Sequence, residues 1–177
     1  MKVTFVPLEC LPASFQLLLR SWRNSELVRS QMLNQSPILE DEHRDWFTRV
    51  VSPGSSYRVR VAHADDEPFG VIYLTDIDRV SSVASWGMYI GDERFLGRGL
   101  GRRMLLDLLE WAFEEEGLER LYTSVLADNS KAVALYLDCG FHFEGRFERH
   151  IRRASGEFVD VYWMALFAHE WRRKKGV

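Results

Sequence analysis

The sequence predicts one α/β domain in which a mixed, mostly antiparallel sheet is flanked by helices. Segments of strand periodicity alternate with segments of helical periodicity along the whole chain. Apolar residues make up 46% of the 177 residues, a proportion typical of folded globular proteins. A chain of this length encloses one sizeable hydrophobic core, and no segment rich in proline, glycine or serine divides it. We therefore expect residues 1–177 to form a single domain.

The N-terminal half is predicted to contain four strands and two helices. Phe15, Leu19 and Trp22 recur at helical spacing, and Pro53 ends a second helix that begins near Leu39. The later strands follow one another closely, as in an antiparallel meander. In chain order the predicted elements are a strand over 2–7, helices over 14–23 and 39–52, and strands over 57–62, 68–74 and 82–90.

The C-terminal half is predicted to begin with a glycine-rich turn and the most regular helix of the chain. Met104, Leu105 and Leu108 belong to the apolar stripe of this helix, and Gly117 marks its end. In chain order the predicted elements are a helix over 102–116, a strand over 121–126, a helix over 130–139, and strands over 141–147 and 158–167.

Charge and cysteine content limit the partners that the chain can have. A formal net charge of −3 gives no general attraction to a nucleic-acid backbone, so we expect no nucleic-acid partner. The basic run 172–175 is expected to be a solvated tail. No stretch is long and apolar enough for a membrane span or a secretion signal, which predicts a cytoplasmic protein. Cys10 and Cys139 lie far apart without metal-like spacing, so we expect free thiols and no metal.

A glycine-rich turn over 91–101 leads directly from a predicted strand into a helix. Glycines at such a junction let backbone N–H groups approach an anion closely, and the start of the helix adds unpaired N–H groups and partial positive charge. Arg98, Arg102 and Arg103 add side-chain charge, which favours a polyphosphate ligand. The Walker pattern requires Lys and Ser or Thr after the last glycine, and the Rossmann pattern requires another glycine spacing, so neither fits.

Two segments resemble the GNAT superfamily of N-acetyltransferases. Arg98-Gly99-Leu100-Gly101 is similar to its acetyl-CoA loop, although Leu96 stands where Gln or Arg is usual, and 129–141 is similar to its Asn-x-x-Ala-x-x-Leu-Tyr-x-x-x-Gly-Phe segment. The resemblance implies a splayed sheet that holds acetyl-CoA between its fourth and fifth strands. The residues that it implies for the cosubstrate are Tyr89, Ile90, Leu96, Gly97, Arg98, Gly99, Leu100, Gly101, Arg102, Asn129, Lys131 and Tyr136.

The same resemblance assigns the chemical steps. Tyr136 stands where the family has the tyrosine that protonates the coenzyme A sulfur, and a backbone N–H near Tyr89 is expected to face the oxyanion. The glutamate that many relatives carry as a base is missing here, so the base is left open between a water held by Ser85 and His43. Cys139 ends a helix, where the dipole does not favour a thiolate, so direct transfer is expected instead of an acyl-cysteine route.

The segment 22–47 bears on the amine that accepts the acetyl group. It resembles the UDP-4-amino-sugar N-acetyltransferases of pseudaminic acid biosynthesis, which implies a small-molecule amine, most specifically a UDP-linked amino sugar. The candidate substrate-binding residues are Arg23, Asn24, His43, Trp46 and Trp86. The alternatives left open are a protein N-terminus, a polyamine and, from another class, a coenzyme A-binding sensor without turnover. A homodimer is also left open.

Overall fold

A computed structural model of the chain describes residues 1–176, in which seven strands form one sheet. The strand order is β1-β2-β3-β4-β5-β7-β6. The strands are β1 (Val3–Pro7), β2 (Arg58–Ala64), β3 (Glu67–Asp78), β4 (Val83–Ile90), β5 (Arg120–Leu126), β6 (His142–Arg152) and β7 (Phe158–Phe167). The helices are α1 (Phe15–Asn24), α2 (Glu26–Arg29), α3 (Glu40–Val51), α4 (Leu100–Glu110), α5 (Ser130–Cys139) and α6 (Ala168–Lys175).

The sheet is mixed because one neighbouring pair of strands is parallel. β4 and β5 run parallel, and every other described neighbour pair is antiparallel. The parallel pairing covers only three residue pairs and ends at Ser85 and Tyr122. β4 continues beside β3 to Ile90, and β5 continues beside β7 to Leu126. The two strands therefore separate into an open cleft in the middle of the sheet.

Helices cover both faces of the sheet and enclose two apolar clusters. On one face α4, α5 and α6 pack on the sheet around Phe69, Met104 and Leu108, which are fully buried. On the other face α1 and α3 pack around Leu19 and Val61. The helical spacing of apolar residues in α1 and α4 produces these contacts, since each helix turns one stripe toward the sheet. The predicted mixed sheet flanked by helices is confirmed.

Several element boundaries differ from the prediction. The long helix begins two residues earlier, at Leu100, and its last turn, Trp111–Glu115, is a π-helix. β6 extends to Arg152 because it stays paired with β7 through two register shifts. The short helix α2 was not predicted, because four residues are too few to show a periodic pattern.

The C-terminal basic run is mostly exposed, as expected, but it is helical and not an extended tail. Residues 172–175 form the last turn of α6, which Trp171 anchors in the core with 4% of its surface exposed. Arg172 contacts Glu114 at 3.1 Å, and the Lys175 ammonium lies 4.3 Å from the Trp171 ring centre. Within residues 1–176 no helix is long and apolar enough to cross a bilayer.

Candidate active site

The cleft between β4 and β5 has a volume of about 570 Å³ and is lined from both strands. At its closed end the Thr123 hydroxyl donates a 3.0 Å hydrogen bond to the carbonyl of Trp86. This side-chain bond takes the place of the next backbone hydrogen bond between β4 and β5. The residues of β4 beyond Trp86 are consequently free of β5, and their outer backbone groups face the cleft.

Strand pairing identifies the amides of β4 that face the cleft. Gly91 donates its N–H to the Phe69 carbonyl of β3 at 2.8 Å. Because bonded and non-bonded pairs alternate along an antiparallel ladder, the Tyr89 N–H also points toward β3. The backbone groups of Met88 and Ile90 then point toward the cleft. The expected N–H near Tyr89 is therefore that of Met88 or Ile90, and these two amides are the candidates for the oxyanion and the pantetheine arm.

The glycine-rich turn opens onto the same cleft and has the features of an anion site. Gly97 and Gly99 have φ of 72° and 74°, which a side chain at either position would strain. Gly99 precedes the first turn of α4, which contains no acidic residue, so the unpaired N–H groups there are not neutralised. A Cβ on Gly101 would meet only the Leu135 side chain, at 3.8 Å, so the helix leaves room for a ligand there. These residues fit the pyrophosphate of acetyl-CoA.

The three arginines near this turn are not equivalent. Arg98 and Arg102 are exposed beside the first turn of α4. Arg103 instead contacts Asp107 one turn along the helix at 2.5 Å, which occupies its guanidinium. Leu96, at the first position of the motif, is 44% exposed and lines the cleft, so it supplies an apolar contact there.

The helix α5 borders the cleft on the β5 side and carries Tyr136. Asn129 caps this helix, since its side-chain oxygen accepts a 3.2 Å hydrogen bond from the Ala132 N–H. Asn129 and Lys131 also line the cleft. The structural and ligand-binding interpretations of Asn129 are therefore compatible.

Tyr136 is held at the cleft by aromatic packing. Its ring contacts Trp86 edge-on, with ring centres 4.9 Å apart, and Phe141 packs against both rings. Burial raises the pKa of the Tyr136 hydroxyl above its ordinary value, so the group stays protonated and able to donate. Trp86 is only 2% exposed, which corrects its expected role as a stacking surface for the acceptor. The residue instead orients the Tyr136 ring.

A second cavity of about 900 Å³ lies between α1, α3 and the sheet and joins the cleft. His43 and Trp46 line it with ring centres 5.0 Å apart, and His43 is 5% exposed. Burial, with a smaller effect of Arg20, lowers the pKa of His43, so the imidazole is neutral near pH 7. His43 does not line the cleft, whereas Ser85 does. We call this second space the acceptor cavity.

Arg23 lies where the acceptor cavity meets the cleft. Its Nη2 donates to the Asn34 carbonyl at 2.8 Å, but no residue between 1 and 176 accepts a hydrogen bond from its buried Nη1. Burial lowers the pKa of Arg23, and the nearby Tyr73 and Tyr89 oppose this shift. Arginine nevertheless remains charged. The junction therefore presents a cation with unused hydrogen-bonding capacity.

Asn24 does not belong to this site. Its amide donates to the Ile38 carbonyl at 2.9 Å and accepts from the Ile38 N–H at 2.8 Å. Both ends of the side chain are thus used to hold the segment between α2 and α3. This corrects its expected place among the substrate-binding residues.

Sequence reasoning missed Tyr73, which lines both cavities. It is paired across the sheet with Gly87, and a Cβ on Gly87 would lie 2.2 Å from the Tyr73 hydroxyl oxygen. The end of the Tyr73 side chain therefore lies directly over β4. Strand periodicity gives no register between β3 and β4, so the sequence could not reveal this contact.

The thiols lie away from the reaction path. Cys139 is buried and borders a different cavity from the cleft, and burial raises its pKa, which disfavours the thiolate. Cys10 is exposed and lines neither the cleft nor the acceptor cavity. No group of three or more metal-ligating side chains occurs among residues 1–176.

Comparison with known proteins identifies the family. Residues 8–142 match the acetyltransferase (GNAT) domain. This chain belongs to the GNAT family. The L-amino acid N-acetyltransferase AaaT of Escherichia coli is 32% identical over 68% of this chain and 74% of its own length. A spermidine N(1)-acetyltransferase of Vibrio cholerae is 26% identical over 74% of this chain and 75% of its own length.

A solved structure shows the same fold. The spermidine N-acetyltransferase of Vibrio cholerae, crystallised with coenzyme A and spermine, has a TM-score of 0.85 at 22% identity and covers 96% of this GNAT chain and 97% of its own. The chain is thus an acetyl-CoA-dependent N-acetyltransferase. These relatives act on polyamines or amino acids, and they support the polyamine alternative over a UDP-linked amino sugar. The homodimer stays a prediction.

Proposed function

We propose that this enzyme acetylates the primary amine of a small molecule that also carries an anionic group, as an L-amino acid does. The observation that carries the proposal is Arg23, whose buried Nη1 is left without a protein partner at the entrance to the cleft. A buried charged donor without a partner is unfavourable, and an acceptor carboxylate would supply the missing hydrogen bond. An acceptor bound this way has its amine next to the cleft.

The rest of the acceptor cavity suits an apolar or aromatic side group. Trp46, Tyr57 and Val59 line its inner surface. The shared feature of the possible ligands is an anion one short linkage away from an amine. The diphosphate of a UDP-linked amino sugar offers the same chemistry, although the relatives named above do not support it, so it forms one arm of the test.

The arrangement of the cleft supports direct transfer. The Met88 and Ile90 amides would stabilise the oxyanion that forms on the thioester carbonyl. Tyr136 would donate its proton to the departing sulfur as the acceptor nitrogen forms its bond to the carbonyl carbon. The nitrogen loses its own proton to water, held by Ser85 or present in the acceptor cavity. No covalent enzyme intermediate is required.

A polyamine is the second candidate acceptor, and a specific observation favours it besides the relatives. Glu42 and Asp45 are exposed at the mouth of the acceptor cavity, where carboxylates could contact a distant ammonium group. Arg23 and Arg49 line the same cavity and offset these charges. A polycation would therefore meet a cation at the inner end of the cavity, which is why we place it second.

A thiol-release assay across matched amines tests the proposal. The panel contains an apolar L-amino acid, its carboxamide, spermidine, a UDP-linked 4-amino sugar and an N-terminal peptide. The proposal predicts that the amino acid exceeds its carboxamide by about tenfold or more in kcat/KM, since the two differ only in the anion. A preference for spermidine would establish the second candidate, and a preference for the nucleotide sugar would assign the anion to a diphosphate. Equal rates for the acid and its carboxamide would contradict the proposal.

A further inference from the structure

Tyr73 is placed where the acceptor cavity, the cleft and β4 meet. The β3–β4 register sets Tyr73 opposite Gly87, and the absent side chain of Gly87 provides the space in which the ring lies. A Cβ there would come within 2.3 Å of Cζ and 2.7 Å of Cε2, closer than any real packing contact. Gly87 is therefore a requirement for the position of the Tyr73 ring.

The position of the ring places its hydroxyl against Gly87, at a level of β4 that lines the cleft. β4 has separated from β5 at this level, because their pairing ends at Ser85. Tyr73 lines the cleft together with Arg23, Tyr89 and Tyr136. Among these groups, Tyr136 is the expected proton donor and Arg23 the expected anion ligand. Tyr73 thus lines the same cleft as the expected proton donor and the expected anion ligand.

The chemical state of Tyr73 limits what it can do. Burial raises the pKa of the Tyr73 hydroxyl, and the Arg23 guanidinium opposes this shift. A neutral phenol is a hydrogen-bond donor and acceptor, and it is not a general base near neutral pH. An incoming amine has N–H groups to donate and must keep its lone pair directed at the thioester carbonyl. A hydroxyl oxygen beside the cleft can meet that need.

We propose that Tyr73 is a substrate-positioning residue, whose hydroxyl oxygen accepts a hydrogen bond from the N–H of the acceptor amine. The contact aims the nitrogen lone pair at the thioester carbonyl carbon. The C–N bond forms and the C–S bond breaks, the sulfur takes its proton from Tyr136, and the nitrogen proton passes to water. Tyr136 then regains a proton from the solvent, which restores the enzyme. The inference rests on the proposed direct transfer and is independent of whether the acceptor carries an anion.

The experiment compares Tyr73→Phe with Tyr162→Phe, which removes a hydroxyl from β7 at a residue that lines neither the cleft nor the acceptor cavity. The probes are n-propylamine, which has no group besides its amine, and the best acceptor from the panel. For Tyr73→Phe we expect kcat/KM to fall about tenfold with both amines, the scale of one lost hydrogen bond to a reacting group. Acetyl-CoA affinity and its amine-independent hydrolysis should stay at the wild-type level, as should the pH profile. Tyr162→Phe should leave all of these unchanged with both amines.

Gly87→Ala provides a second, independent variant. The added methyl group forces the Tyr73 ring away, so Gly87→Ala should also lower kcat/KM. In the Tyr73→Phe background the hydroxyl is already absent, so adding Gly87→Ala should lower kcat/KM much less. Wild-type kcat/KM for Tyr73→Phe overturns the proposal, and so does an equal fall in acetyl-CoA hydrolysis, which needs no amine. A shifted pH profile overturns it in favour of proton transfer. n-Propylamine has no anion for Arg23 to bind, so its rates test the role of Tyr73 independently of the proposal that the acceptor carries an anion.

Discussion

The hydroxyl of Thr123 bonds to the carbonyl of Trp86 across the point where the two parallel strands separate. On one side of this bond β4 and β5 are paired, and on the other side they are separated by the cleft. Thr123 is 5% exposed, so replacing it with Val leaves a buried carbonyl without a partner. We expect Thr123→Val to lower the free energy of unfolding by about 1–3 kcal/mol, measured by urea denaturation, and Thr123→Ser to lose less. Equal stability of Val and Ser variants would show that the bond contributes little.

Substitutions of Gly101 should affect acetyl-CoA binding without lowering the stability of the fold. Ala fits at this position in the first turn of α4 and should leave stability unchanged or raise it by up to about 1 kcal/mol. The added methyl group would project into the cleft where the pyrophosphate approaches the helix. Calorimetry should therefore show an acetyl-CoA dissociation constant raised about tenfold, with a larger rise for Gly101→Asp.

The matched control for Gly101 is Gly145→Ala, which adds a methyl group on β6 at a position with no contacts within 4 Å. This variant should bind acetyl-CoA as the wild type does. Unchanged affinity in a folded Gly101→Asp protein would refute the assignment of the site.

Tyr136→Phe should lower kcat about a hundredfold and keep acetyl-CoA affinity, because Phe preserves the packing on Trp86 and lacks the proton. Since burial raises the pKa of Tyr136, the wild-type kcat should not decline through loss of this proton up to pH about 10. Initial rates at saturating substrates from pH 7 to about 9.5 measure both effects. Tyr122→Phe on β5 controls for loss of a hydroxyl, and an unchanged kcat for Tyr136→Phe would mean that another donor serves the sulfur.

His43 should make stability depend on pH in the acidic range. Burial lowers its pKa, so the unfolded chain binds a proton more readily than the folded one. The resulting stabilisation is fully present above the ordinary histidine value of about 6.5 and is lost as pH falls through the folded value.

His43→Phe keeps the ring contact with Trp46 and should lose less stability between neutral pH and about pH 4.5 in thermal melts. The exposed His169→Gln serves as the control. An identical pH dependence for wild type and His43→Phe would contradict the effect. A kcat profile whose acidic limb shifts in His43→Phe would instead identify His43 as the base.

The local features of the site were predictable because they depend on neighbouring residues. The turn before α4, the cap at Asn129 and the placement of Tyr136 on a helix all follow from short motifs. The helical stripes of α1 and α4 also fixed which faces are buried. By contrast, α6 was missed because Trp171 is its main apolar anchor and the basic residues around it resemble a tail.

Residues whose roles depend on strand register or on burial could not be assigned in advance. The cleft-facing amides at Met88 and Ile90 follow from pairing with β3, and the Tyr73–Gly87 contact follows from the same register. The sequence suggests that Trp86 stacks on the acceptor, yet its ring lies on the face of the sheet that packs against Tyr136 of α5. The unpaired Nη1 of Arg23 likewise emerged only from the packing of α1 against the sheet.

The most direct test of the account is the acceptor specificity of Arg23→Gln. The measurement is kcat/KM for an apolar L-amino acid, or for whichever anionic acceptor the panel favours, relative to n-propylamine in wild type and variant. If Arg23 binds the acceptor anion, the variant loses about a hundredfold in kcat/KM with the anionic acceptor, the scale of a charge-assisted contact, and stays within about twofold with n-propylamine. An equal loss with both amines, or a wild-type enzyme that prefers spermidine, would contradict the account.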